Sequence, residues 1–349
     1  MLPNSLTRTM DTQDLTRLVD EADDAALLRA VDALAASRDW DLMETLGERC
    51  RQAVEMGRQL WGVAMHIDYR LAWEGSAVHA AHAVTRGSSR FTLGPLTEVA
   101  AGSHAWDALG PHLTDPASRT AVAQERVLRG EDLRAVSDVA AFAPVPLWLT
   151  TWEPTYALPA YRDRKAAFPQ PDVAIQTVPL DRAPVSDTAE AFDDEATVAL
   201  KDVVRSWWAH SSGVGEVVAI EGDAALAVAT VRSGRPGQWG LREISATEGL
   251  AMLQWAGASG GAYAPRPGGA AGRFAAWWAA TALTGLEWPE ATDDDFTDEL
   301  GAALAELRWY RWAGEEPDTG WTLRLAIEDP TDQLAWAIEA LDQLDDEDS

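Results

Sequence analysis

Residues 259–286 read SGGAYAPRPGGAAGRFAAWWAATALTGL, and the fold of the chain's latter half turns on how that stretch divides. Its first part, 259–272, is a glycine- and proline-rich loop, because neither residue type sustains a helix interior. Its second part, 273–286, reads as a helix carrying the adjacent pair Trp277 and Trp278. Neighbouring residues on a helix point about 100° apart, so one indole can enter a core while the other meets a second layer.

Outward from that helix, residues 196–345 are expected to form a tryptophan-rich α/β domain. A helix over 196–210 carries Val198, Leu200, Val203, Val204, Trp207 and Trp208, and Ser211 to Gly213 end it. EVVAIE at 216–221 is a β-branched run and reads as a strand. In residues 224–231 the alternation of Val228 and Val231 would allow a strand, but the alanines and the Asp223 cap favour a helix, and 238–244 reads as a second strand. Ser245 and Glu248 form a capping-box signature for a helix over 247–256. The order strand, helix, strand, helix predicts a βαβ unit with parallel strands in a small mixed sheet. Beyond the pivot helix, 296–307 reads as a helix, and 308–312 with 319–327 as a hairpin around 314–318. Asp329-Pro330 is expected to open a last helix through about 341, followed by the acidic tail 342–349.

The first part of the chain has a different texture. Residues 13–135 predict a helical domain, a bundle or irregular solenoid without a clear repeat period. Segments 25–36, with Asp24 as N-cap, and 39–55 are amphipathic, whereas 58–73 is apolar on most sides. Between the two domains, 136–195 reads as a proline-rich strap. Its prolines exclude helices of normal length, but Val145, Leu147, Trp148, Trp152 and Tyr156 are too apolar to stay solvated. The fold class is therefore α+β or mixed α/β.

A formal net charge of −28 over 349 residues argues against nucleic acid and against anionic membranes as partners. No run of about eighteen apolar residues occurs to span a bilayer, and the N-terminal segment lacks the apolar core of a signal peptide. Cys50 is the single cysteine, so no internal disulfide forms and a cytoplasmic, reducing location is expected.

Residues with chemical potential are few. Gly260, Gly261, Gly268 and Gly269 precede the pivot helix, with Arg266 and Arg273 beside them. Free amides at a helix N-terminus attract anions, and a guanidinium adds bidentate contacts, so these six residues are the candidate ligand site. The lysine and hydroxyl of a P-loop are missing, and no strand leads into the loop as a dinucleotide fingerprint requires. His79 and His82 are three apart on one helical face, where Asp68 or Glu74 would complete a metal site. The zinc-helix spacing is absent, and neither metal nor cofactor is expected. No nucleophile elbow occurs. Abundant helical and aromatic surface without a catalytic constellation predicts a non-catalytic interaction or regulatory protein with a protein partner or self-association. The alternative is a small-molecule or anion-binding protein, or an enzyme, that uses loop 259–272. A nucleic-acid mimic would use the charge alone, but the acids are dispersed along the chain.

Overall fold

A computed structural model describes residues 12–87, 92–140, 145–171, 188–235, 239–289, 294–314 and 320–344. The chain is α+β and divides into two compact units. The first comprises Met1–Arg119 with Tyr161–Ala166; the second comprises Thr120–Ala160 with Ala167–Ser349.

In the first unit, helices α1 (Thr12–Glu21), α2 (Asp24–Ser37), α3 (Trp40–Glu55), α4 (Trp61–Glu74), α5 (Ala77–Arg86), α6 (Leu96–Ser103) and α7 (Trp106–Leu109) follow one another. The N-cap of α2 is Asp23 rather than Asp24, with its Oδ1 accepting from Ala26 N at 3.0 Å. Asp39 caps α3 in the same way through Leu42 N. Helix α4 is the hub: it packs on α2, α3, α5 and α6. It buries Val63, Ile67, Tyr69 and Leu71, and also the charged Asp68 and Arg70. Helix α8 (Pro116–Leu128) crosses the boundary between units, and the short α9 (Ser137–Ala140) follows. A two-stranded ribbon pairs β1 (Ala160–Arg162) with β2 (Lys165–Ala167).

The second unit adds α10 (Glu195–Val203), α11 (Arg205–Ala209), β3 (Val214–Glu221), α12 (Ala224–Val231), β4 (Trp239–Ile244), α13 (Ala246–Ala258), α14 (Gly269–Leu283), α15 (Asp294–Glu306), β5 (Arg308–Gly314), β6 (Trp321–Asp329) and β7 (Leu334–Asp342). The sheet order is β3-β7-β6-β5-β4, and every neighbouring pair is antiparallel. This corrects three expectations. The βαβ unit does not form, because β3 and β4 occupy opposite edges and the C-terminal strands fill the space between them. The sheet is antiparallel rather than mixed. The last helix does not form either: residues 334–342 are the strand β7, next to the β3 edge.

The reason lies in burial on both faces. Trp336, Ile338 and Ala340 join Leu323, Leu325 and Ile327 in a core with α10, α13 and α14. Ala335 and Ala337 join Val218, Ile220, Trp312 and Ala326 in a second core with α12. A strand covered on both sides loses the apolar–polar alternation that marks a half-exposed one, and its alanines then read as helical. The predicted hairpin is present in its strands, with Trp309 opposite Ile327, although residues 315–319 of its turn and 345–349 of the tail lie outside the described residues. The Ser245–Glu248 capping box is formed in both directions.

Helices α13 and α14 pack tightly against each other at Gly272. A methyl group there would lie 2.2 Å from Gln254 O and 2.6 Å from Ala258 N, so only glycine allows this contact. The strap residues Val145, Leu147 and Tyr156 are buried. Among the described residues, no helix is long and apolar enough to cross a membrane.

Candidate functional site

Six residues around the start of α14 form the candidate site, and Arg273 is its best-placed cation. Its side chain is fully buried. The guanidinium pairs with Glu153 through Nε to Oε1 at 2.7 Å and Nη2 to Oε2 at 2.8 Å. Nη1 donates to Gln124 Oε1 at 2.6 Å and to Pro146 O at 2.7 Å, and Nη2 also donates to Trp148 O at 2.8 Å. An arginine has five N–H donors, and these five contacts use them all. Arg273 therefore ties the strap to α14, with no donor left for a ligand.

Glu153 is saturated in turn. Its Oε1 also accepts from Tyr156 Oη at 2.7 Å and Trp277 Nε1 at 3.0 Å, and its Oε2 from Thr150 N at 3.0 Å. Burial alone would raise its pKa. The Arg273 charge and hydrogen bonds, with Trp277 and Thr150, outweigh burial and hold the carboxyl below its usual range. Burial and the Glu153 charge push the Tyr156 phenol well above its ordinary value, so it stays protonated and donates.

At the N-terminus of α14 the anion is already supplied. Glu125 Oε1 accepts from Ala270 N at 2.6 Å, and the same carboxylate pairs with Arg129 Nη1 at 2.8 Å. Gly268 is the cap residue, and Gly269 packs against Glu125 and Leu128. The electrostatic expectation for a helix N-terminus is met by a side chain of this same protein.

The loop before it is clasped by the end of the sheet. Asp342, nearly fully buried, accepts from Ala262 N at 2.7 Å through Oδ2 and from Ser212 Oγ at 3.1 Å through Oδ1. Gly261 has φ +72, and a methyl group there would meet Asp342 Oδ2 at 2.1 Å. Gly260 lies against the carbonyls of Ala264 and Pro265. Ser259 O accepts from Ser206 Oγ and from the Trp207 indole. Arg266 stacks on the ring of Phe168, 4.6 Å from its centroid. The six predicted residues thus do not converge on one cavity: Arg273 faces Glu153, Gly269 faces Glu125, Gly261 faces Asp342 and Arg266 faces Phe168. Glu153, Glu125 and Asp342 are the residues that sequence reasoning missed. Nothing local in the chain marks one carboxylate among its 56 acidic residues as the buried partner of an arginine 120 positions away.

The tryptophan pair divides as its spacing implies. Trp277 is buried, 4.8 Å from the Trp152 ring, whereas Trp278 is half-buried and turns to Trp288 at 5.5 Å. Phe274 packs edge-on against Trp288 at 5.6 Å and remains 39% exposed, so α14 presents an aromatic outer face.

In the first unit, His79 Nε2 meets Asp41 Oδ1 at 3.0 Å and His82 Nδ1 meets Glu44 Oε1 at 3.1 Å. The partners expected for a metal are engaged elsewhere, Asp68 by Arg51 and Arg86, and Glu74 by Arg70. Among the described residues, no group of three or more His, Cys, Asp or Glu is arranged to hold a metal ion. A cleft of about 710 Å³ in this unit is bordered by Asp32, Arg38, Trp40, Arg70 and Glu74, whose charges are largely paired with one another.

A family model described as a family of unknown function (DUF6183) matches residues 25–343. No curated protein and no solved structure matches the chain.

Proposed function

We propose, for a chain that belongs to the DUF6183 family, that it acts by docking to another protein and carries out no bond-making chemistry. The observation that carries this reading is the internal saturation of the candidate site. The cation, the helix amides and the loop glycines that would receive a small anion are each occupied by Glu153, Glu125 or Asp342. Phe274 and Trp278 of the same helix, with Trp288 beyond its end, form a partly exposed aromatic cluster, and aromatic residues are enriched where interfaces concentrate their binding energy. A cytosolic location suits the role and the buried Cys50, whose thiol burial pushes up to about 11, keeping it protonated and unreactive.

The test is co-purification from the native host with wild-type protein and a Phe274→Ala variant, alongside light scattering. A stoichiometric partner, or a defined self-complex, that is held by wild type and released by the variant supports docking. A monomer with no companion removes the reading. The alternative, ligand binding at loop 259–272, predicts a thermal shift with a nucleotide or acidic metabolite that Arg266→Ala abolishes.

A further inference from the structure

We infer that the face formed by Phe274 and Trp278 of α14 with Trp288 beyond its C-terminal end receives a cationic segment of a partner protein, rich in arginine or lysine. This rests on the docking reading above and adds the chemistry of the partner. Trp288 meets Phe274 edge-on at 5.6 Å between centroids and lies tilted against Trp278 at 5.5 Å, so the three rings form a continuous surface rather than an open cage. The sequence that follows Arg273 brings no cation to them. From Phe274 through Leu307 there is no lysine or arginine, while eight acidic residues occur. Glu287, next in sequence to Trp288, is exposed, as are Asp294, Asp295, Asp298 and Glu299 on α15. Arg273, on the inner side of the same helix, is committed to Glu153.

An indole face attracts a guanidinium or ammonium, and flanking carboxylates hold it by charge. The same charge repels phosphate backbones and anionic headgroups, which leaves a basic polypeptide as the fitting occupant. The apolar ring edges add area for the aliphatic stems of those side chains.

Fluorescence anisotropy with a short labelled peptide of alternating arginine and leucine tests this directly. The expected result is binding that weakens with salt. It should weaken about tenfold in Phe274→Ala, the loss of one exposed cation–π and packing contact. Glu287→Arg should weaken it by about as much through charge reversal. Glu21→Arg, on α1 of the first unit, should leave it unchanged, and unchanged melting midpoints show that each variant is folded. Equal losses in Glu21→Arg and Glu287→Arg would mean that the whole-chain charge attracts the peptide, and would overturn the inference. A peptide of alternating glutamate and leucine bound as tightly would overturn it too. If a partner co-purifies through Phe274 but the arginine–leucine peptide cannot displace it, docking stands and the cationic partner falls.

Discussion

Glu153 in the second unit and Asp68 in the first are both carboxylates with no exposed side-chain surface, and both face guanidinium groups. Glu153 meets one arginine, Arg273, that is itself fully buried and has every donor used. Asp68 meets two, Arg51 Nη1 at 3.0 Å and Arg86 Nε at 2.8 Å, each about a quarter exposed. Arg86 passes the charge on to Glu44 at 2.8 Å, and its Nη2 has no partner among the described residues. The difference is between a closed node and an open chain. In the closed node each charge depends wholly on the other, because water reaches neither. In the open chain, solvent at the arginines can take over part of a lost contact.

The largest expected effect comes from breaking the closed node. Glu153→Ala leaves Arg273 as an uncompensated buried charge and frees the Tyr156 and Trp277 donors, and a loss of about 3–5 kcal/mol is expected. Urea unfolding read as a shift in midpoint measures it. Glu153→Leu combined with Arg273→Met should recover most of that loss, since buried ion pairs give little net stability over well-packed apolar replacements. A double variant no better than the single one would show that the carbonyls of Pro146 and Trp148 hold the strap only through a charge. Asp68→Asn should cost less, about 1.5–3 kcal/mol, because it weakens charge-assisted hydrogen bonds to partners that keep access to water. Equal costs in the two variants would erase the distinction between node and chain.

Between these two in kind is the packing that positions the node. Gly272→Ala brings a methyl group against the backbone of α13, and a destabilisation of about 1–3 kcal/mol follows from forcing the helices apart. Circular dichroism melts should show an earlier transition. Movement of α14 should also loosen the Arg273 contacts, so Gly272→Ala and Glu153→Ala should combine less than additively.

How much of this was legible in the chain depends on the range of the interaction. The caps at Asp223 and Ser245 act within three or four residues and could be read directly, whereas the cap of α2 is Asp23, one residue before the Asp24 that the sequence suggested. So could the separation of Trp277 from Trp278, which helical geometry dictates. The sheet could not: β7 pairs with β3 across more than a hundred residues, and burial on both faces removes the alternation that would have marked it. The candidate site was half-legible. Glycines and arginines at a helix start do mark a place that attracts anions, but whether that anion is a ligand or Glu125 and Glu153 is decided by contacts that no local pattern encodes.

Acid offers the finest test of the contrast, because the two carboxylates are shifted in opposite directions. Burial raises the Asp68 pKa above 3.8, with Arg86 and Arg51 opposing it incompletely. Burial also works on Glu153, but there Arg273 and the surrounding donors prevail and lower it below 4.5. A depressed carboxyl contributes stability above its unfolded value and loses it as pH falls through the folded one. A raised carboxyl does the reverse: the folded state takes up its proton first, so its contribution becomes more favourable as pH falls from the raised value towards 3.8. Denaturation free energies of wild type, Glu153→Gln and Asp68→Asn across the acid range isolate each group by subtraction. The wild-type advantage over Glu153→Gln should shrink as pH falls below about 4.5, and its standing relative to Asp68→Asn should improve towards 3.8. Parallel curves for the two variants would mean that both carboxylates are held alike, and that partial exposure of Arg51 and Arg86 makes no difference to the charge they face.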